Sequence, residues 1–320
     1  MKAVVNKSHI EGYIYEHTLE SKVSGPNSKN PGTEFISGNL SVATDEAILN
    51  IVTVHFSYVT PTTKNGGTNS TYTALSNIIS GAAGNIMQHG KEKAAKVRID
   101  SAIGLNEFYT ERNGKTELVS AKRNEGGFVH LVDTLNEDEK ARSTFECDML
   151  ITKATRIEPN EEKNIPEKVV IKGCIFDFRK ALLPYDFKVT NKKAMDYFED
   201  LEVSPKSPVF THLKGRQLSS VVKKTFVEEG AFGEDSVREV VNSRKDYILH
   251  WAAKETYPFD DEETITKEEL KKAREDRNTY LADVKKRNDD YKANKGNAIG
   301  STKTVAPVAA KAADDDNWDF

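Results

Sequence analysis

The sequence predicts a mainly β protein with additional helices, an α+β chain, and three observations predict it. Strand-like alternation rich in β-branched and aromatic residues recurs from His9 to Val132. A second run of the same kind extends from Phe145 to Val227. Helical spacing then takes over between residues 264 and 292, ahead of a low-complexity end.

The first strand is expected over His9 to Leu19, with Ile10 and Ile14 on one face and Tyr13, Tyr15 and His17 on the other. The turn formers of Ser24 to Gly32 separate it from a second strand, Thr33 to Thr44. There Ile36, Leu40 and Val42 oppose Phe35, Ser37 and Asn39. Ala47 to Val59 is the strongest strand signal in the chain. A Gly/Asn/Thr loop leads into a short helix around Tyr72 to Ser80, and a fourth strand is expected at Ala95 to Ile103. Asn113-Gly114 and Glu125-Gly126-Gly127 read as turns, bounding strands at Glu117 to Ala121 and Phe128 to Val132. Three strands, a helix and two or more strands is the order of an OB-fold barrel.

The second β-rich block reads as strands at Phe145 to Thr152, Lys168 to Phe178 and Leu182 to Thr190. A helix capped by Asn191 follows, Lys192 to Leu201. Lys214-Gly215 reads as a turn within Pro208 to Ser219, and Val221 to Val227 as one more strand. The block is either a second OB-like barrel or an addition that completes the first. The long polar helix opens on a Thr266/Glu269 capping box and carries a thin stripe through Leu270, Ala273, Arg277, Tyr280, Leu281, Val284 and Tyr291. The expected organisation is residues 1–142 as an OB-like domain, 143–260 as the second block, 261–292 as the helix, and 293–320 as a flexible linker with an acidic tip.

At 320 residues the chain can bury a sizeable core. No apolar run approaches the ~20 residues that cross a bilayer, and Met1 to Glu11 lacks a secretory core. A cytoplasmic protein with no membrane partner is the expectation. Cys147 and Cys174 make no disulfide framework, and the seven histidines show no metal-ligand spacing. No metal or cofactor is expected. No enzyme is expected either, since neither a GxxxxGK[ST] loop nor a GxSxG elbow occurs. Asp260 to Glu263 suits a solvated helix lead-in better than a metal site.

The net charge of −4 comes from one place. Asp314, Asp315, Asp316 and Asp319 stand in the last seven residues; taking these four from 50 acids leaves 46 against 46 bases. Interleaved with Trp318 and Phe320, they form an anchor whose rings suit an apolar pocket and whose carboxylates suit a basic rim. An OB-like body, a linker and an acidic tip ending in Phe resemble bacterial and bacteriophage single-stranded DNA-binding proteins. The resemblance implies a barrel that wraps single strands and a tip that recruits a polymerase, primase or helicase. The tip departs from the bacterial Pro-Phe ending, and residues 143–292 lie outside a one-barrel protein, which favours a phage replication type.

Candidate stacking residues are Tyr13, Tyr15 and Phe35, opposite the Ile faces, with His55 from the third strand. Lys91, Lys93, Lys96, Arg98, Arg112, Lys115, Lys122 and Arg123 cluster around the fourth and fifth strands and are candidate phosphate contacts. The expected function is non-sequence-specific binding and protection of single-stranded DNA in replication or recombination. Two alternatives stay open on the neutral body: a virion structural protein, and an accessory that docks on a polymerase through its tail.

Overall fold

A computed structural model of the chain describes residues 4–295, apart from 113, 161–164, 229–235, 258 and 263; along 220–244 and at 294–295 it describes the backbone alone. Among the described residues, eleven strands join in one sheet that closes on itself twice. The first closure uses β1 (Asn6–His17), β3 (Glu34–Ala43), β4 (Ile51–Val59), β5 (Lys96–Arg112) and β6 (Lys115–Val132), with β2 (Glu20–Val23) added along β3. β1 pairs antiparallel with β3 and with β5, β3 with β4, and β5 with β6, while β4 and β6 run parallel. α1 (Ser70–Ile79) and α2 (Ile86–His89) lie between β4 and β5. This is the five-stranded Greek-key order of an OB barrel.

The second closure repeats that order strand for strand. β7 (Ser143–Ile157) pairs with β8 (Lys168–Phe176) and β10 (Val209–Glu228), β8 with β9 (Leu182–Val189), and β10 with β11 (Ser236–Ala252). β9 and β11 are the parallel pair, and α3 (Lys192–Glu199) sits between β9 and β10. The two first strands, β1 and β7, pair antiparallel from Asn6–Cys147 to Ile10–Ser143, which joins the barrels edge to edge.

Alternation builds each core. Ile10, Ile14, Leu40, Val42, Val54, Phe56, Val97 and Ile99 fill the first barrel, plugged at one end by Leu75 and Ile78 of α1. Phe145, Met149, Ile171, Phe187, Tyr185, Leu213 and Tyr247 fill the second, with Met195 and Phe198 of α3. Asn69 caps α1 through Thr71 N, and Asn191 caps α3 through Ala194 N.

Each barrel also lends its β-hairpin to the other. Beyond Ser101 the β5–β6 pair leaves the first barrel as a two-stranded ribbon, and its Ile103 and Leu105 enter the second core. In return β10 crosses onto β4: Asn50 Nδ2 donates to Gln217 O at 3.1 Å and Asn50 Oδ1 accepts from Ser219 N at 2.6 Å. A buried polar chain locks this crossing. Gln217 Nε2 donates to Ser8 Oγ (2.6 Å), Ser8 Oγ to Asn124 Oδ1 (2.9 Å), and Asn124 Nδ2 to Gln217 Oε1 (2.8 Å).

α4 (Lys267–Lys295) starts on its capping box, with Glu269 N donating to Thr266 Oγ1 at 3.2 Å and Thr266 N to Glu269 Oε2 at 3.1 Å. Ile265, Leu270 and Ala273 pack on Leu150, Cys174, Phe176, Leu182 and Phe210. Arg277 bridges to Glu107 at 2.6 Å and Lys292 to Glu111 at 2.8 Å. No described helix is long and apolar enough to cross a membrane.

Three sequence signals mean something other than expected. Gly126-Gly127 is no turn: β6 runs through it with a register shift opposite Asp100–Ala102, and a Cβ on Gly127 (φ 107°) would meet Asp100 O at 2.2 Å. Lys214-Gly215 is likewise a shift inside an unbroken β10, where a Cβ on Gly215 would strike the Phe145 ring at 2.3 Å. The third strand begins at Ile51 rather than Ala47, because Asp45 Oδ1 accepts from Leu49 N and Asn50 N and holds residues 45–50 as a loop. α4 runs on through 293–295, where the linker was expected to begin, and the rest of the linker and the tip fall in residues outside those described.

Candidate nucleic-acid interface

The outer face of β3–β4 is where the sequence-predicted residues meet best. Its inward residues are fixed by the core, so Phe35 and Asn39 of β3, and Thr53 and His55 of β4, point outward by alternation. Phe35 lies against Tyr58, ring centroids 4.5 Å apart and tilted 32°. Tyr58 is 43% exposed, and its hydroxyl lies 3.1 Å from Ser24 Oγ, which ties the pair to the β1–β3 connection. His55 Nδ1 stands 2.9 Å from Asn39 Oδ1 directly across the strands. Partial burial and the guanidinium of Arg123 hold the His55 pKa below its usual value, so the ring is neutral at pH 7.

β6 continues this face sideways. His55 is in register with Glu125, and Arg123 Nε donates to Glu125 Oε1 at 2.6 Å. From Arg123 the same side of the β5–β6 ribbon carries Phe108, which is 36% exposed, and ends on the facing pair Arg112–Lys115. The opposite side carries Glu107 and Glu111 and is covered by α4 through Arg277 and Lys292. The exposed side thus offers aromatic faces, a neutral imidazole and Arg123 near one another, with Arg112 and Lys115 eight residues further along the ribbon, about 26 Å away. Chemically that set can stack on flat rings and meet spaced anions.

The other predicted residues lie elsewhere. Tyr13 is opposite Ala43 and Phe35 opposite Lys22, eight residues apart along β3 or about 26 Å, so they share no patch. Tyr15 sits at the β1 bulge between Ile14 and Glu16. Tyr13 instead joins a closed network: its hydroxyl donates to Glu46 at 3.3 Å, and Lys91 lies over its ring at 5.1 Å. Glu46 is also bound by Lys91 (2.7 Å) and Arg142 (2.8 Å), which draw its pKa down to about 2. Lys96 donates to Asp133 O at 2.9 Å. Lys93 and Arg98 are exposed on the β1–β5 side, Arg98 between Glu11 and His130.

Lys122 requires a correction. Alternation turns it away from the open face, onto Asp186 of the second barrel at 2.6 Å and over the Tyr185 ring at 4.8 Å, and burial lowers its pKa. It braces the barrels. Tyr58 and Phe108 went unnominated: the alternation of Phe108 with Ile103 and Leu105 was readable, whereas Tyr58 has the parity of Val52, Val54 and Phe56 and is turned outward only by the register shift that sets Ile36 opposite Val59. Among the described residues, no group of three or more His, Cys, Asp or Glu is placed to hold a metal.

A chain of two OB barrels with one open strand face is the class that the fold and the site define. The family model described as YorF matches residues 5–287, and the chain belongs to that family. No curated protein matches the sequence. Among solved structures, the wild-type single-stranded DNA binding protein from Thermus aquaticus is similar over 79% of this chain and 94% of its own, at 8% identity and a TM-score of 0.43. A deletion mutant of that protein is similar over 81% and 98%, at 9% identity and a TM-score of 0.44. The barrel assignment comes from the strand order of this chain itself.

Proposed function

We propose that this chain binds single-stranded DNA without sequence specificity, through the outer face of β3–β4, in replication or recombination of a phage-type system. The observation that carries the reading is the pair of half-buried Phe35 and exposed Tyr58 on an open OB strand face, flanked by the β1–β3 connection and the β5–β6 ribbon. In OB folds this face and these two loops are where oligonucleotides are bound. Bases stack on Phe35 and Tyr58 and on the neutral His55, while phosphates meet Arg112, Lys115 and Arg123. With about three phosphate contacts, the affinity falls with a log–log salt slope of about −2. Duplex DNA hides its base faces and is excluded from the stacking part of the site. Sequestered strands are thereby kept from nucleases and hairpins in the host cytoplasm.

The acidic tip, Asp314, Asp315, Asp316, Trp318, Asp319 and Phe320, lies outside the described residues. In this reading it recruits a polymerase, primase or helicase. The test is a fluorescence titration of labelled single-stranded and duplex 30-mers at two salt concentrations, with the full chain and with a chain ending at Ala313. Preference for single strands with a shallow salt slope is the expected result, and truncation should abolish partner recruitment. Failure to bind either DNA would turn the reading toward the virion or polymerase-docking alternatives.

A further inference from the structure

The outer side of β10 in the second barrel carries an ordered row that the single-strand site does not use. Thr211 and Leu213 turn inward, opposite Met149 and Cys147 of the core, so Phe210, His212, Lys214 and Arg216 share the outer side. They recur about every 6.6 Å. Cross-strand partners lie on the same side. Tyr257 stands opposite Phe210, ring centroids 6.3 Å apart, and is 47% exposed. Trp251 stands opposite Lys214, with its ring 5.9 Å from His212, and is 45% exposed. Lys214 Nζ lies over the indole at 5.2 Å. The row thus reads as two aromatic positions followed by two cationic ones. Its neighbouring acids are engaged: His212 meets Asp148 at 2.6 Å and Glu146 at 2.9 Å, and Val5 N donates to Asp148 at 2.7 Å. Towards Arg216 the face is cationic, and burial together with Arg216 and Lys214 holds the His250 pKa below its ordinary value.

The end of the sequence carries the complementary pattern at the same spacing. Phe320 and Trp318 are aromatic, and Asp316 and Asp314 are acidic. We propose that the chain's own acidic tip docks along the outer side of β10, with Phe320 at Tyr257, Trp318 at Trp251, Asp316 at Lys214 and Asp314 at Arg216. Ring contacts and charge pairs then coincide in one register, and a slip of one residue sets acids against rings. The tether is long enough. α4 starts beside Phe210, through Ile265 and Leu270, and its 29 residues carry the chain about 43 Å away. Residues 296–313 can span up to about 60 Å, which covers the return. A segment tethered at this range has an effective concentration on the order of a millimolar, so individually weak contacts suffice. A partner that takes the tip must draw the same two rings off β10. The inference does not depend on the single-strand reading.

Trp251 and Trp318 are the two tryptophans of the chain, which gives the test its probe. In a full-length Trp318→Phe chain, Trp251 is the single tryptophan and a ring is kept at position 318. Acrylamide should quench Trp251 about two-fold less in that chain than in a chain ending at Ala313, because a ring over the indole covers its open face. High salt should remove most of the difference. Asp314→Asn/Asp316→Asn, placed in the tip where the body's folding is not at stake, should remove it as well. So should Lys214→Glu/Arg216→Glu, which should leave the chain ending at Ala313 unchanged. Equal quenching of the full and shortened chains overturns the docking. Protection that survives both pairs of charge variants overturns the assigned register. Protection that rises with protein concentration puts the tip of a second copy on β10 and overturns docking within one chain.

Discussion

On the first barrel, the outer face of β3–β4 carries exposed Asn39 and Tyr58 beside half-buried Phe35 and His55. On the second, the corresponding strands β8 and β9 hold Cys174, Phe176 and Leu182 beneath Ile265, Leu270 and Ala273. Strand order, parallel pair and helix position are the same in both. The difference lies in which side chains alternation turns outward and in what the rest of the chain lays over them. A Greek-key barrel supplies a platform; polar and aromatic residues make it a site, and apolar ones make it a docking surface for the chain's own helix. Burial pushes the Cys174 thiol up to about 12, in keeping with a dry contact.

Breaking the closed side should have the largest effect. Glu107 is 2% exposed and relies on Arg277, which also donates to Leu182 O. Arg277→Ala should therefore cost about 3–5 kcal/mol in urea unfolding, since it strands a buried carboxylate. It should also make Cys174 reactive to a thiol reagent. Arg123→Ala, on the open side, should cost less than about 0.5 kcal/mol of stability. Equal losses at the two positions would mean that the two faces are not different in kind.

Next comes binding. Phe35→Ala and Tyr58→Ala should each lower single-strand affinity by about 1–3 kcal/mol, roughly 5- to 150-fold. Phe178, at the β8–β9 turn, is 86% exposed and carries Arg179 over its ring at 5.0 Å, yet it belongs to the closed barrel. Phe178→Ala should leave affinity within about two-fold of the wild type. A loss matching that of Tyr58→Ala would place a second site on the second barrel.

The smallest effect is one of pH. Lys91 and Arg142 hold the Glu46 carboxyl at about 2, against an ordinary value of 4.5. A depressed carboxylate contributes stability that is complete above the unfolded value and is lost as pH falls, here between about 4.5 and about 2. Glu46 is 46% exposed, so screening leaves roughly 1 kcal/mol. Glu46→Gln should remove that much at pH 7 and flatten acid unfolding across the same window.

Much of this was legible in the sequence, and the losses have physical reasons. The Ile10/Ile14 and Ile36/Leu40/Val42 faces identified the first barrel, and the Thr266/Glu269 box located α4. Glycines misled where they serve as bulges: at Gly127 and Gly215 the missing Cβ admits a carbonyl or a ring, which local sequence does not distinguish from a turn. The site was half legible. Phe35, His55 and Arg123 lie on one outer side of the first barrel and Arg112 and Lys115 at the far end of its ribbon, whereas Tyr13, Lys91 and Lys122 are taken up by partners 33 to 64 residues away. Such partners are set by how strands and barrels pair, not by spacing. The closing of β8–β9 under α4 was invisible for the same reason.

The most direct test is photocross-linking of a bromodeoxyuridine-substituted single strand to the full chain, with the adducts mapped by peptide mass spectrometry. Adducts concentrated at Phe35, His55 and Tyr58, with none on β8 or β9, are the predicted result. Adducts on β8–β9 at comparable yield, or spread without preference over both barrels, would contradict the assignment of the site to the first barrel's open face.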